Sequence, residues 1–311
     1  MFGVWRPTTD AVRLLRAGRE NTDEWLNART STVGASEISV LMLAEHPYHS
    51  AFSLFHVKRS GWGRHAASPV EERGHWMEEG TARKFAAERT DLVVGRPNGA
   101  LWCDPAHPWM SCTPDFLTMG EDRLIIPLEC KSDEGGDGWG WGDEEVPAHH
   151  WWQVQQQCGV FAAPYGYLAR WNSRGFRIYR IDYDHDRYTA AAEQARRFMD
   201  DVASGHEPEP DGHDSTRRVL IDAYDPTYTV APVRVPDEWG ADLAALKESK
   251  KEIDRQIKDL TNKIRAMMGD APVAYDLTGR VHARQVTARK GYTVKPATVD
   301  QLRTTEPRET S

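Results

Sequence analysis

The sequence predicts a mixed α/β fold, an α+β arrangement in which helices flank a mixed sheet, with a helical appendage at the C-terminal end. Three observations carry this expectation. Helical apolar spacing over 22–89 gives way to short apolar runs broken by Pro, Gly and Asp over 91–131. One more helix signal and two more strand signals then follow, so helices and strands interleave as they do around a sheet covered on its faces. A separate amphipathic repeat occupies 240–268.

The elements follow in order. Residues 22–60 have helical character: Thr22 is placed to cap the segment holding Trp25 and Leu26. Gly34-Ala35-Ser36 reads as a fresh helix start before Ile38, Leu41 and Met42. Residues 61–71 read as a Gly/Ser/Pro loop, and a second helix over 71–89 turns Trp76, Ala82, Phe85 and Ala86 inward. Strands are expected at 92–94, 101–102, 115–117 and 124–130. The stretch 132–146, SDEGGDGWGWGDEEV, reads as a loop. Pro147 suits the first turn of a helix running to 161. Two strands, 165–171 and 176–183, and a helix over 187–203 complete a first domain, 1–205.

Pro and Asp dominate 206–239, which reads as a linker or strap. In the appendage, 240–311, Leu243, Leu246, Ile253, Ile257, Leu260, Ile264 and Met267 recur at coiled-coil-like spacing, and Gly269 is placed to end the helix. Short strands are expected over 272–295, including Val281, Val286 and Tyr292.

Composition excludes several classes. With 311 residues, 40% of them hydrophobic and 12 of them Trp, the chain has material for a sizeable core. No run approaches the roughly 18 apolar residues of a membrane helix. The start, MFGVWRPTTD, lacks the pattern of a signal peptide, so a cytoplasmic protein is expected. Cys103, Cys112, Cys130 and Cys158 show no CxxC spacing and read as free thiols rather than a disulfide framework, a zinc site or an iron–sulfur cluster. The formal charge of −8 argues against nonspecific coating of nucleic acid, but not against a DNA enzyme whose cations line one channel.

The candidate chemistry lies in 113–131. Pro114-Asp115 precedes a Gly-bearing turn and the strand end Leu128-Glu129-Cys130-Lys131. Alternation puts Glu129 and Lys131 on one face of the strand. With Asp115 on the neighbouring strand, two carboxylates and the Cys130 carbonyl make an all-oxygen site suited to Mg²⁺ or Mn²⁺. Such an ion activates water and polarises a phosphodiester, and an ammonium at Lys131 orients the nucleophile. The E-x-K triplet alone reads by default as an ordinary ion pair on a half-exposed strand, and Pro114-Asp115 upstream is what lifts it above that reading. Upstream, Glu78 and Glu79 offer a further carboxylate from a helix. Gln153 and Gln157 lie one turn apart, either facing the edge that bears Glu129 or solvated. His149-His150 does not read as a zinc site, because adjacent helical residues point about 100° apart. Arg29 and Ser36 compose a phosphate seat at a helix start, or Ser36 is simply an N-cap.

Together these residues resemble the YqaJ-like viral recombinase group, which includes the lambda-type phage exonucleases of the PD-(D/E)xK nuclease superfamily. The resemblance runs over roughly 22–200 and rests on five ordered matches: WLNARTSTVGASEI at 25–38, RGHWMEE at 73–79, CTPD at 112–115, LECK at 128–131 and WQVQ at 152–155. It implies a restriction-endonuclease-like core and a metal site with Asp115, Glu129, the Cys130 carbonyl and Glu78 (Glu79 as substitute) as ligands. It further implies Lys131 as catalytic lysine, Gln153 as the first Gln of the Q-x-Q element, and Arg29 and Ser36 on the terminal DNA phosphate. The activity implied is Mg²⁺-dependent 5′→3′ digestion of double-stranded DNA ends, which leaves 3′ single strands for phage recombination. A single-strand annealing protein and a homo-oligomer are the partners it suggests. An endonuclease, or a non-catalytic DNA-binding protein on the same fold, are the alternatives. The chain departs from the group in its acidic Gly/Trp loop after Lys131 and in its long C-terminal extension.

Overall fold

The computed structural model describes residues 4–5, 12–13, 23–61, 69–97, 101–133, 139, 146–173, 175–224, 233–275 and 281–283. The chain divides into two compact units, Met1–Tyr224 and Asp225–Ser311.

The first unit is built on a six-stranded mixed sheet. Its strands are β1 (Val4–Trp5), β4 (Val93–Pro97), β7 (Phe116–Met119), β8 (Ile125–Ser132), β9 (Tyr165–Asn172) and β10 (Gly175–Asp182), in that spatial order. The β1–β4 and β8–β9 pairs are parallel and the others antiparallel. A four-stranded sheet has the order β2 (Val12–Arg13), β5 (Trp102–Cys103), β6 (Met110–Cys112), β3 (Val33–Gly34). The helices of this unit are α1 (Asp23–Thr30), α2 (Ile38–Met42), α3 (Ala51–Ser60), α4 (Pro69–Glu88), α5 (Ala148–Phe161), α6 (His185–Ser204) and α7 (Asp214–Ala223).

Strand β8 is central, and its apolar run IIPL fits a strand paired on both sides and covered on both faces. On one face α4 buries Ala82 and Phe85, with the Phe85 ring 5.3 Å from that of Tyr167 on β9. On the other face lies α5, which one glycine brings close to the sheet and another close to α6. A Cβ on Gly166 would sit 2.5 Å from Val154, and one on Gly159 would sit 2.3 Å from Tyr188. Glycine is what permits such approach. A second core gathers Val33, Ile38, Leu54, Met110, Ala192 and Phe198 beneath α6.

Several expectations need correction. Trp76 does not point inward: it is 80% exposed. Helix α4 starts at Pro69, inside the expected loop. The expected linker 206–239 contains α7, whose buried Ser215 and Thr216 hydroxyls bond to Ser53 and Ser50 at the start of α3, at 2.9 and 2.7 Å. Helical spacing over 22–60 is interrupted by β3, and β6 was too short for a periodicity signal. Most of 132–146, and Val286 and Tyr292, lie outside the described residues.

The second unit holds α8 (Asp237–Met268) and a hairpin of β11 (Val273–Tyr275) with β12 (Val281–Ala283). Gly269, at φ 50°, closes α8 as the sequence predicts. Among the described residues, no helix is long and apolar enough to cross a membrane.

Candidate active site

The end of β8 sets out the site. Glu129 and Lys131 share a face, and the Lys131 ammonium lies 2.6 Å from Glu129 Oε1. The antiparallel pairing of Phe116 with Leu128 brings Asp115 opposite Glu129, just where β7 begins. There the ladder is continued by a side chain: the Cys130 N–H donates to Asp115 Oδ2 at 2.8 Å. The N–H and C=O of one strand residue point to the same side, so the Cys130 carbonyl also faces this edge. Asp115, Glu129, Lys131 and the Cys130 main chain are therefore brought together, as the sequence predicts.

Helix α5 completes the arrangement. Gln153 donates to Glu129 Oε1 and Gln157 to Glu129 Oε2, both at 2.7 Å. Glu129 is only 3% exposed. Its burial is tolerable because two amides and an ammonium replace water on its oxygens. The family resemblance had carried over Gln153 alone; the i, i+4 spacing is the signal that also finds Gln157.

The local charge balance is negative. Burial raises the Asp115 carboxyl well above the usual carboxylate range, and the charges of Glu129 and Glu78 raise it further. Burial alone would lower the Lys131 ammonium, but Glu129, Asp115 and Glu78 hold it above its ordinary value. Glu78 accepts from His75 Nδ1 at 2.8 Å while its charge acts on Asp115. Glu79 is instead paired with Arg83 at 2.6 Å on the outer surface of α4. Of the two helical acids, Glu78 is the one whose field reaches the cluster.

The donors suit a hard divalent ion, though not as a closed cage. Among the described residues no three His, Cys, Asp or Glu side chains converge on one point. Asp115, Glu129 and the Cys130 carbonyl form an open all-oxygen set whose chemistry would suit a hard divalent ion. Buried oxygens without a protein partner occur in the same segments, at Thr113, Ser132 and Gln157. Such atoms are where ordered water is expected.

Parts of this chain are similar to known proteins. Residues 24–163 match the model of the YqaJ-like viral recombinase domain. The match takes in Asp115, Glu129, Lys131, Gln153 and Gln157. Over 271 residues it is 25% identical to the uncharacterized protein YqaJ of Bacillus subtilis (strain 168), covering 84% of this chain and 83% of that protein. Among solved structures it is similar to the alkaline exonuclease LHK-Exo from Laribacter hongkongensis, with a TM-score of 0.48 at 15% identity, over 65% of this chain and 98% of that one. A structure of LHK-Exo in complex with dAMP also has a TM-score of 0.48, at 16% identity and the same coverage. The match to that domain and the acid–acid–lysine cluster together support a nuclease.

A second polar cluster surrounds Arg29. Its guanidinium lies 2.9 Å from Glu37 Oε1, 3.4 Å from Ser36 Oγ and 4.6 Å from the centre of the Trp25 ring. Glu37 Oε2 accepts from the Gly34 N–H and from Lys58 Nζ, both at 2.6 Å. Lys58 also donates to the Arg29 carbonyl at 2.8 Å. Burial alone would raise the Glu37 carboxyl, but the charges of Lys58 and Arg29 hold it at about 2. Burial has the opposite consequence for Lys58, which it lowers, because only one carboxylate and one carbonyl replace its water. We read Glu37 as firmly ionised, since two cations and an amide engage it.

This cluster corrects one reading. Ser36 is not an N-cap and no helix starts at Gly34: α2 begins at Ile38 after Glu37 and has five residues. The Gly34 amide is already used by Glu37, so Arg29 and Ser36 remain as phosphate-binding candidates without a helix N-terminus behind them. Sequence reasoning missed Glu37 and Lys58, which are far apart in the chain and meet only in the fold.

Gln156 ties the two clusters to one helix. Its amide donates at 2.7 Å to both the Val33 and Ser111 carbonyls, bridging the β3–β6 pair from α5. The His149 and His150 rings lie 4.0 Å apart, tilted at 49°, in the first turn of α5. Burial and then the charge of Lys131 lower both below the usual histidine range, so both rings are neutral. All four cysteines are buried free thiols.

Proposed function

We propose that this chain is a metal-dependent deoxyribonuclease, and within that class a 5′→3′ exonuclease on double-stranded DNA that leaves 3′ single strands for phage-type recombination. The observation that carries the proposal is the end of β8. Asp115 faces Glu129, Lys131 stands on the same edge, and two glutamines of α5 fix the Glu129 carboxylate.

Mg²⁺, or Mn²⁺ in its place, would be held by Asp115, Glu129 and the Cys130 carbonyl, with the charge of Glu78 behind them. When bound, such an ion supplies an activated water and polarises the phosphate. Lys131 orients that water and stabilises charge building on the phosphoryl oxygens. Gln153 and Gln157 keep Glu129 in one rotamer, so that its ligand geometry is set before DNA arrives. Arg29 retains donors beyond the one given to Glu37, and with Ser36 it would receive the phosphate of a 5′ end. Duplex DNA ends are the proposed substrate, and the bacterial cytoplasm, with a single-strand annealing protein downstream, is the proposed setting.

The test is digestion of linear and covalently closed circular duplex DNA, with Mg²⁺ or with EDTA, by the native chain and by Lys131→Ala. Mg²⁺-dependent loss of the linear form alone, absent in the variant, is expected. Cutting of the circle would replace the exonuclease by an endonuclease, and full activity in Lys131→Ala would reject the site. End polarity is read separately: Arg29→Ala should erase any preference for 5′-phosphorylated ends.

A further inference from the structure

Helix α8 spans 32 residues, yet of its side chains only Met268 is buried. Its apolar residues fall on two interlocked seven-residue series. Trp239, Leu246, Ile253, Leu260 and Met267 form one, and Leu243, Lys250, Ile257 and Ile264 form the other. They correspond to the d and a positions of a heptad. Trp239, Leu246, Ile253, Ile257, Leu260 and Met267 are between 55% and 90% exposed, and Leu243 and Ile264 are half-buried.

The period says what kind of surface would cover this stripe. A straight α-helix has 3.6 residues per turn, so a strict seven-residue repeat drifts by about 20° per heptad relative to it. A flat or globular surface does not follow that drift, but a second helix with the same repeat follows it by supercoiling. Among the described residues, the other two long helices, α4 and α6, already bury their apolar faces, through Ala82 and Phe85 and through Ala191, Ala195 and Phe198. A second copy of α8 carries the matching repeat by construction.

We propose that α8 pairs with α8 of a second copy of this chain as a parallel, in-register, two-stranded coiled coil. The single cation in the stripe fixes the register. In register, both Lys250 side chains share one layer and lead their ammonium groups out to water, so the polar cost is confined there. A heptad shift, or an antiparallel pairing, sets each lysine against an apolar residue in a separate layer and disrupts two. The flanking charges agree. Parallel pairing brings Asp242, at g, toward Lys247, at e, of the second copy, and no other g–e′ pair of this stretch joins like charges. β-branched Ile257 and Ile264 at a, with Leu246 and Leu260 at d, suit two strands. The pairing does not depend on the nuclease reading.

Sedimentation equilibrium of the full-length chain tests it, beside the double variant Ile257→Lys/Leu260→Lys and the single variant Leu260→Cys. The native chain is expected at twice the mass of one chain and the double variant at the mass of one. All native cysteines are buried, so mild oxidation of Leu260→Cys should cross-link two chains through position 260, as a parallel in-register d layer requires. A native mass of one or three chains, a doubled mass that survives the double variant, or a dimer that fails to cross-link at 260 would each overturn the proposal. Leu260 and Ile257 are exposed, so the first unit should keep its unfolding transition in these variants.

Discussion

Helices α5 and α8 invert the usual relation between polarity and burial. Gln155, Gln156 and Gln157 of α5 are at most 1% exposed, while most of the apolar stripe of α8 stands in solvent. The difference is in what each helix meets. The NH2 group of every buried glutamine on α5 finds a strong acceptor: Glu129 for Gln157, the Val33 and Ser111 carbonyls for Gln156, and the Asp182 carbonyl for Gln155. A buried amide that keeps its hydrogen bonds costs little, whereas an apolar surface gains nothing until something covers it. Sequence polarity therefore reports which partner a helix needs, and the fold supplies it for α5.

The sharpest way to break this comparison is to make α5 more apolar. Gln157→Leu keeps roughly the same volume but removes the donor to a buried carboxylate oxygen. We expect a loss of about 1–3 kcal/mol in urea unfolding of the first unit, because an unsatisfied buried acceptor costs that much. Cleavage should fall as Glu129 loses its fixed rotamer. A neutral or stabilising result would show that burial on α5 does not depend on amide partners. Gln153 is only partly buried, so Gln153→Leu should cost less stability, about 1 kcal/mol, while still lowering cleavage.

Titration separates the two polar clusters that α5 supports. Glu37 is depressed in the folded chain, from an ordinary 4.5 to about 2. Its contribution is therefore complete above about 4.5 and is lost as pH falls toward about 2. By linkage this is worth on the order of 2 kcal/mol once the cost of burying Lys58 is set against it. Glu37→Gln should flatten acid unfolding in that window. Asp115 has the opposite sign. Its folded value is raised, so the metal-free chain is favoured with Asp115 protonated and loses stability as pH rises above the usual carboxylate range. Excess Mg²⁺ should restore the thermal midpoint at neutral pH, by an amount that grows with the logarithm of its concentration. Asp115→Asn should be less sensitive to pH and should not respond to Mg²⁺; an unchanged response would remove Asp115 from the ligand set.

The parts of this molecule that were legible in the sequence are those governed by short-range periodicity. Strand alternation gives the shared face of Glu129 and Lys131, and helical i, i+4 spacing gives the pairing of Gln153 and Gln157 over one carboxylate. The same repeats locate α4, α5, α6 and α8. What was not legible depends on distant contacts or on very short elements. Strands β3 and β6 have two and three residues, too few for a pattern. Helix α7 is hidden in a Pro- and Asp-rich stretch and is held by hydroxyl contacts to Ser50 and Ser53 that no local signal announces. Lys58 reaches Glu37 only because α3 folds back beside α2. Trp76 shows the limit of spacing itself, since an apolar residue at a plausible helical position within α4 stands in solvent.

The smallest effect is expected from the reverse exchange on α8. Leu246 is 67% exposed, so Leu246→Gln opens no cavity and strands no buried amide in the single chain. Substitutions of that kind usually stay within about 0.5 kcal/mol. The unfolding midpoint of the first unit should therefore match that of the native chain, and should not vary with protein concentration. Any change should appear in the helical signal of α8 and should depend on concentration, because a d-position glutamine weakens only the pairing of two copies. The measurement is thermal unfolding by far-ultraviolet circular dichroism at two protein concentrations a hundredfold apart. A concentration-independent loss in the first unit as large as that of Gln157→Leu would mean that α8 already buries this face within its own chain, and the contrast with α5 would fail.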